Sequence, residues 1–328
     1  MRLKYQPSLD GLRGLALLSV MAFHFQRNVM NGGALGVDVF FVLSGYLITM
    51  LLATEHQETG KIEYRAFLLR RIRRLGPALL AMLAFCAAAG PYFWPNPATM
   101  TQDIAAAATY TPNFWIQAGA RESPLSHTWS LSIEEQFYLL WPPIMLWLVR
   151  LPRDRAVHGL LSVWVIVTIA RCAMTAFLPP DPAPYYLIPF HATGLLLGAA
   201  LALRPLRTNR GRIALGVLVA LFIGGKATLT FAYTVAVAEV ATVLVIANPP
   251  AILMNPMLRW LGKISYGTYL WHIPLLWLLP NSGALFLLGI SLLAGAISYY
   301  FIESWATSRP VPLPGLRLKR EELSVDEQ

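Results

Sequence analysis

Four groups of side chains in this sequence have the types and spacing to do chemistry. The first is Arg13 with His24, in the stretch LDGLRGLALLSVMAFHF that begins at Leu9. At about 100° per residue their separation is roughly three turns plus 20°, so both leave one helical face, about 16 Å apart along the axis. The stretch is otherwise apolar and near bilayer length. Ionisable groups there cost roughly 2.5–3.5 kcal/mol each on insertion scales and face a bundle interior or a wet cavity. An arginine near one interface and a histidine deeper in therefore read as a site, the histidine being suited to acid–base work. The structural alternative is an arginine that snorkels and a histidine bonded to a neighbouring carbonyl.

The second group is Arg70, Arg71, Arg73 and Arg74 in FLLRRIRRLGPALL. Guanidinium groups pair with phosphate in bidentate fashion, so an anion site is one reading. A positive-inside signal with anionic lipid contact is the other. Arg70 and Arg74 share a helical face, and Arg71 points elsewhere. The third group lies in SHTWSLSIEEQFYLLWPP, with His127, Ser130, Ser132, Glu134, Glu135 and Gln136. A serine cap and the helix dipole account for one acid. If this helix packs on the first, a glutamate orients His24 and stabilises its protonated form. Helical period does not choose between Glu134 and Glu135. The fourth group, SYGTYLWHIPLL, holds Tyr266, Tyr269, Trp271 and His272; an aromatic belt explains all but the histidine.

Other polar residues need partners. Asp38 opens GVDVFFVLSGYLI at the outer edge of a span, and the sequence names no partner for it. Gly36, Ser44 and Gly45 read as helix-packing positions. Arg171, His191 and Glu239 read as structural pairs in the bundle interior. Glu303, in FIESW, reads as the partner of a nearby arginine.

The elements that position these groups are membrane helices. The chain has 328 residues, 56% hydrophobic and only 13% charged, with mean hydropathy +0.53. A soluble domain carries roughly twice that charge fraction. Apolar runs predict spans near 9–28, 34–54, 75–94, 132–149, 158–178, 186–204, 212–229, 231–248, 264–280 and 284–303. Residues 98–118 are too polar to span and read as an interfacial or re-entrant piece. With the N-terminus cytoplasmic, 21 lysines and arginines fall on the cytoplasmic side and only Arg27, Arg121 and Lys226 opposite. That bias supports ten helices with both termini inside, and it assigns the net charge of +9 to topology rather than nucleic acid. Arg13 interrupts the first apolar run, so a retained span is expected rather than a cleaved leader. Cys86 and Cys172 sit in apolar runs, with no disulfide framework or metal spacing. One membrane domain, 1–308, is expected, followed by a charged, disordered tail, 309–328.

LDGLRGLALLSVMAFHF, GVDVFFVLSGYLIT, FLLRRIRRLGP, HTWSLSIEEQFYLLWP and SYGTYLWHIPL, in this order, resemble the motifs of the acyltransferase family 3 integral membrane proteins. They run from residue 9 to about 275. The resemblance implies an all-helical O-acyltransferase of the plasma (inner) membrane. It would take an acyl group, usually acetyl, from acyl-CoA on the cytoplasmic side to a hydroxyl of a glycan, glycolipid or small acceptor, with no metal. The family's histidine falls on His24, its arginine on Arg13, its arginine pair on Arg70 and Arg71, and its glutamate on Glu134 beside Glu135. Arg74 would join the donor site. His127, Ser130, Tyr269 and His272 would line the substrate path, and Tyr269, Ser130 or Arg13 would face the oxyanion. The last helix ends FIESWATSRP, where many members have Glu-x-Pro.

Two other classes share these features. A transporter or flippase of glycans or acyl carriers would have the polar bundle and the arginine rim without thioester cleavage; inverted repeats would mark it, and none is visible. A scaffold protein would need His24 for stability alone.

Overall fold

The structure, a computed structural model, describes residues 5–26, 30–117, 123–177, 188–224 and 231–308. The expectations for Arg27, Arg121, Lys226 and the tail 309–328 lie outside those residues. Among the described residues all regular structure is helical. The chain runs α1 (Pro7–Phe25), α2 (Gly36–Thr59), α3 (Tyr64–Ala89), α4 (Pro97–Ala108), α5 (Pro112–Gln117), α6 (Trp129–Leu148) and α7 (Arg153–Phe177). It continues with α8 (Ile188–Leu203), α9 (Gly211–Gly224), α10 (Phe231–Ala247), α11 (Pro256–Lys263), α12 (Ser265–Leu278) and α13 (Ala284–Ile297). A π-helical turn, Ser298–Glu303, joins α13 to α14 (Ser304–Ser308).

Local chemistry sets the helix ends. Proline in the first turn opens α1, α4 and α11. The Asn96 and Asn255 side chains cap α4 and α11, accepting from the backbone N–H of Ala98 at 3.1 Å and of Met257 at 2.9 Å. α2 stops at Gly60, whose φ of 71° suits a residue without Cβ.

Among the described residues, four helical stretches are long and apolar enough to cross a membrane: Gly33–Thr59, Tyr64–Tyr92, Arg153–Met174 and Ala284–Ser308. Helices lie on the other six expected spans as well. However, α12 has only 14 residues, against about 20 needed for a bilayer core, and α8, α9 and α10 each abut residues outside the described ones, with 16, 14 and 17 residues described. α1 and α6 are longer but carry Asp10, Arg13, Glu134 and Glu135. The third helix starts at Tyr64, well before the expected 75, so the arginine cluster lies inside a helix and not ahead of it. The piece expected to be re-entrant folds as two short helices, α4 on α3 and α5 on α6. Between them Tyr110 adopts a left-handed φ of 53°, and its carbonyl accepts from Gln136 Nε2 at 2.8 Å.

Small residues bring backbones together where the functional helices meet. A Cβ on Gly45 of α2 would lie 2.0 Å from the Leu195 oxygen of α8, and one on Gly262 of α11 would lie 1.9 Å from the Asp10 oxygen of α1. An apolar core including Leu17, Phe41, Met82, Ile133 and Leu270 is shared by α1, α2, α3, α6 and α12. These five helices surround the site.

A separate polar network ties α2 to α7, α8 and α10. His191 is the partner that Asp38 needs: their Nδ1 and Oδ1 atoms are 3.2 Å apart, both side chains buried. Trp164 Nε1 donates to Glu239 at 2.7 Å, Thr193 also donates to Glu239, and Arg171 stands 4.0 Å from that carboxylate. Arg171 donates to Thr193 at 3.3 Å. The expected interior residues thus fall into two buried sets, Asp38 with His191 and Glu239 with Trp164, Thr193 and Arg171, in which charges that would be costly alone meet partners.

Candidate active site

A cavity of about 490 Å³ opens between α1, α2, α3, α6, α12 and the last helix. Its size is that of a small-molecule site. Arg13, Arg71, Arg74 and Lys263 line it together with Glu134, Glu303 and several tyrosines.

The arginines are sorted by their neighbours. Arg71 stacks over the rings of Phe67 and Tyr138, at 5.8 and 5.3 Å from their centroids. Arg74 lines the same cavity one turn on. Arg13 brings a third guanidinium from α1, and its buried Nε has no hydrogen-bond partner among the described residues. Arg70 turns away: it pairs with Glu55 at 3.5 Å and is 37% exposed. Arg73 Nη2 donates to the Ala306 carbonyl at 2.9 Å. The face shared by Arg70 and Arg74 on spacing is therefore not the cavity face. Arg71 and Arg74 share that one, because Phe67 and Tyr138 draw Arg71 inward.

Glu134 lines the cavity, and Glu135 does not. Ser44 Oγ donates to Glu134 Oε1 at 2.6 Å, and Arg13, Arg71 and Arg74 act on this carboxylate through space. Glu135 stands behind it with a buried Oε1 that has no hydrogen-bond partner among the described residues. Ser44 is thus a polar contact of the site rather than a packing position. Its place in the middle of an apolar span was the available signal.

The ring of His24 is tied back to its own helix. Its Nδ1 contacts the Val20 carbonyl at 2.9 Å. A carbonyl only accepts, so Nδ1 carries the hydrogen and Nε2 the lone pair. The carbonyl bond of the structural reading thus produces the tautomer that a base needs. Seven residues, across the turn before α6 and the first turns of that helix, separate His127 from Glu134, about 10 Å of rise; the acid stands with the arginines and the His127 end meets the histidines. His127, from the turn before α6, and His272, from α12, complete a cluster: ring centroids are 4.9 Å apart for His24–His272 and 5.2 Å for His127–His272. His272 Nδ1 donates to the Tyr269 carbonyl at 2.6 Å, and His127 Nε2 donates to the Leu270 carbonyl at 3.1 Å. His272 Nε2 is buried and has no hydrogen-bond partner among the described residues.

The sequence-derived residues therefore fall into two assemblies. Arg13, Arg71, Arg74 and Glu134 form the cavity wall; His24, His127 and His272 form the cluster. Ser130 and Tyr269 stand where the two meet. Arg70 and Glu135 lie outside both. Lys263, Tyr138, Tyr299 and Glu303 join the cavity without a sequence signal strong enough to select them. Glu303 accepts from Ser298 Oγ at 3.0 Å across the π-helical turn, and Arg74, in the same cavity wall, acts on it through space.

Comparison with known proteins follows the same outline. Residues 6–309 match the family described as an acyltransferase domain. The chain is 32% identical to the peptidoglycan O-acetyltransferase OatA of Listeria monocytogenes, over 92% of this chain and 56% of that protein. It is 32% identical to the O-acetyltransferase OatA of Staphylococcus aureus, over 83% of this chain and 51% of that protein. The chain spans about half the length of the curated relatives it matches. No solved structure matches it. A helical bundle that gathers the motifs around one cavity, and a family match over nearly the whole chain, lead to one assignment: this protein belongs to the acyltransferase domain family.

Proposed function

We propose that this chain is a membrane-embedded O-acetyltransferase that moves an acetyl group from acetyl-CoA, bound in the arginine cavity, to a hydroxyl of a cell-envelope glycan. The observation that carries this reading is the convergence of Arg13, Arg71 and Arg74 on one cavity, with the His24 cluster adjoining its end. Three guanidiniums suit the phosphates of the donor, and the partnerless Nε of Arg13 offers a buried donor to an anion. The ten-span topology with both termini cytoplasmic follows the basic-residue bias and puts the cavity at the donor's side of the plasma membrane. The relatives' printed names point to peptidoglycan as the glycan.

In this mechanism His24 Nε2 takes the proton of the acceptor hydroxyl while that oxygen attacks the thioester carbonyl. The carbon–sulfur bond then breaks, and the imidazolium returns the proton to the departing thiolate. Ser130 and Tyr269, bonded to each other and to the His127 carbonyl, would face the developing oxyanion; Arg13, about 16 Å along α1 from His24, serves the donor instead. Glu134, held by Ser44, keeps the arginines aimed.

The test uses purified protein, labelled acetyl-CoA and peptidoglycan fragments. Wild type should release thiol and label the glycan, and His24→Ala should fall by about 10²–10⁴-fold, the usual worth of a general base. Equal turnover in both proteins would remove His24 from this role. Donor binding without transfer to any hydroxyl would favour transport.

A further inference from the structure

The arginine-lined cavity ends at two hydroxyls. Ser130 and Tyr269 both line it, and their oxygens are 2.7 Å apart. Tyr269 Oη donates to the His127 carbonyl at 3.0 Å. A proton from Ser130 to Tyr269 and one from Tyr269 to that carbonyl satisfy all three oxygens. Ser130 and Tyr269 are 5% and 7% exposed, so this connection is made inside the protein and not in water.

The histidines stand directly behind it. The Tyr269 ring lies 5.5 Å from His127 and 5.1 Å from His272, centroid to centroid, and His272 lies against His24. None of the three histidines lines the cavity. His272 Nε2, buried and without a hydrogen-bond partner among the described residues, leaves an acceptor for a polar group that passes Tyr269.

We propose that the Ser130–Tyr269 hydrogen bond is a partition between the arginine cavity and the histidine cluster, and that the Tyr269 ring limits the length of acyl group that can reach His24. The inference rests on reading the cavity as the donor site and His24 as the base. An acetyl group needs the two hydroxyls to part. A longer chain also needs the space that the phenol ring fills.

Two measurements test it. The first compares kcat/KM for acetyl-CoA and hexanoyl-CoA in wild type, Tyr269→Phe, Tyr269→Leu and Tyr269→Ala, each monodisperse in detergent. The hexanoyl-to-acetyl ratio should rise at least about tenfold when the ring is removed, in Leu and Ala, and stay near wild type in Phe, which keeps it. An unchanged ratio in both ring-deleted variants overturns the length limit. The second needs no donor. In a Cys86→Ser/Cys172→Ser background, His272→Cys is labelled with a small maleimide. Adding Tyr269→Ala should raise the labelling rate at least about tenfold, whereas Tyr299→Ala, elsewhere in the cavity wall, should not. Equal rates overturn the partition. If wild type cleaves neither thioester, the donor reading fails, and labelling alone decides whether the partition exists.

Discussion

Gly262→Ala should move the cavity wall by a calculable amount. A Cβ there would stand 1.9 Å from the Asp10 carbonyl oxygen and 2.9 Å from the Asp10 Cα. Real Cβ atoms essentially never come closer than 3.0 Å to such atoms, so α11 must retreat from α1 by about 1.1 Å. Both obstacles are backbone, and no side chain can rotate away. Gly262 and Arg13, one turn past Asp10, line the same cavity, so the retreat opens the cavity where a guanidinium is aimed. A misplacement of about 1 Å in a positioning group costs on the order of 10²-fold in rate, and overpacking costs about 1–3 kcal/mol in stability. Gly216→Ala on α9, where a Cβ meets nothing within 4 Å, is the control. Acetyl transfer to peptidoglycan fragments and thermal unfolding in detergent would be read for both variants. Gly262→Ala should lose about 100-fold in transfer and unfold earlier, while Gly216→Ala should stay within about twofold. If Gly262→Ala matches Gly216→Ala on both readouts, the close approach of α1 and α11 does not set the position of Arg13.

Arg71→Ala should weaken acetyl-CoA binding by about 10- to 100-fold in calorimetry, the worth of one charge-assisted contact, while Arg70→Ala should change it by less than about threefold, because Arg70 is half-exposed and paired with Glu55. Equal losses would restore the face that spacing alone suggested. Glu239→Ala should destabilise the protein by about 3–5 kcal/mol in denaturant titration, since it strips the buried Arg171 of its carboxylate; Glu239→Gln, which keeps an acceptor for Thr193 and Trp164, should lose less.

Much of the site was legible because charged and polar residues inside apolar helices are expensive and so few. Arg13, His24, Glu134 and His272 stand out against their surroundings for that reason, and their helices form. What sequence could not supply is the facing of each side chain once helices meet. Arg71 is turned inward by the aromatic rings of Phe67 and Tyr138, of which Tyr138 lies on another helix. Spacing within α3 carries no information about that ring. The spacing offers His24 an acid from α6, and the structure shows a carbonyl one turn back on its own helix accepting from its ring. That bond is local, and it was legible as the structural reading of the same residue. The depth at which α6 meets α1 was not, because it is set by packing between the two helices and not by spacing within either.

Ser44 and Asp38 have a joint consequence for motion. They lie six residues apart on α2, about 120° around the axis. Asp38 locks to His191 on α8, and Ser44 locks to Glu134 on α6. Gly45 presses on the α8 backbone, and Thr49 accepts from Trp141 of α6 at 2.8 Å. Sliding α2 by a single turn, about 5.4 Å, would break all four contacts at once. α2, α6 and α8 therefore act as a stator, able to turn together but not past one another. Among the other walls of the cavity, α3 and the Ala284–Ser308 stretch have apolar windows only 33% and 22% buried, against 72% for the stretch that holds α2. Those two turn most of their apolar length outward, and neither takes part in the four contacts that hold α2.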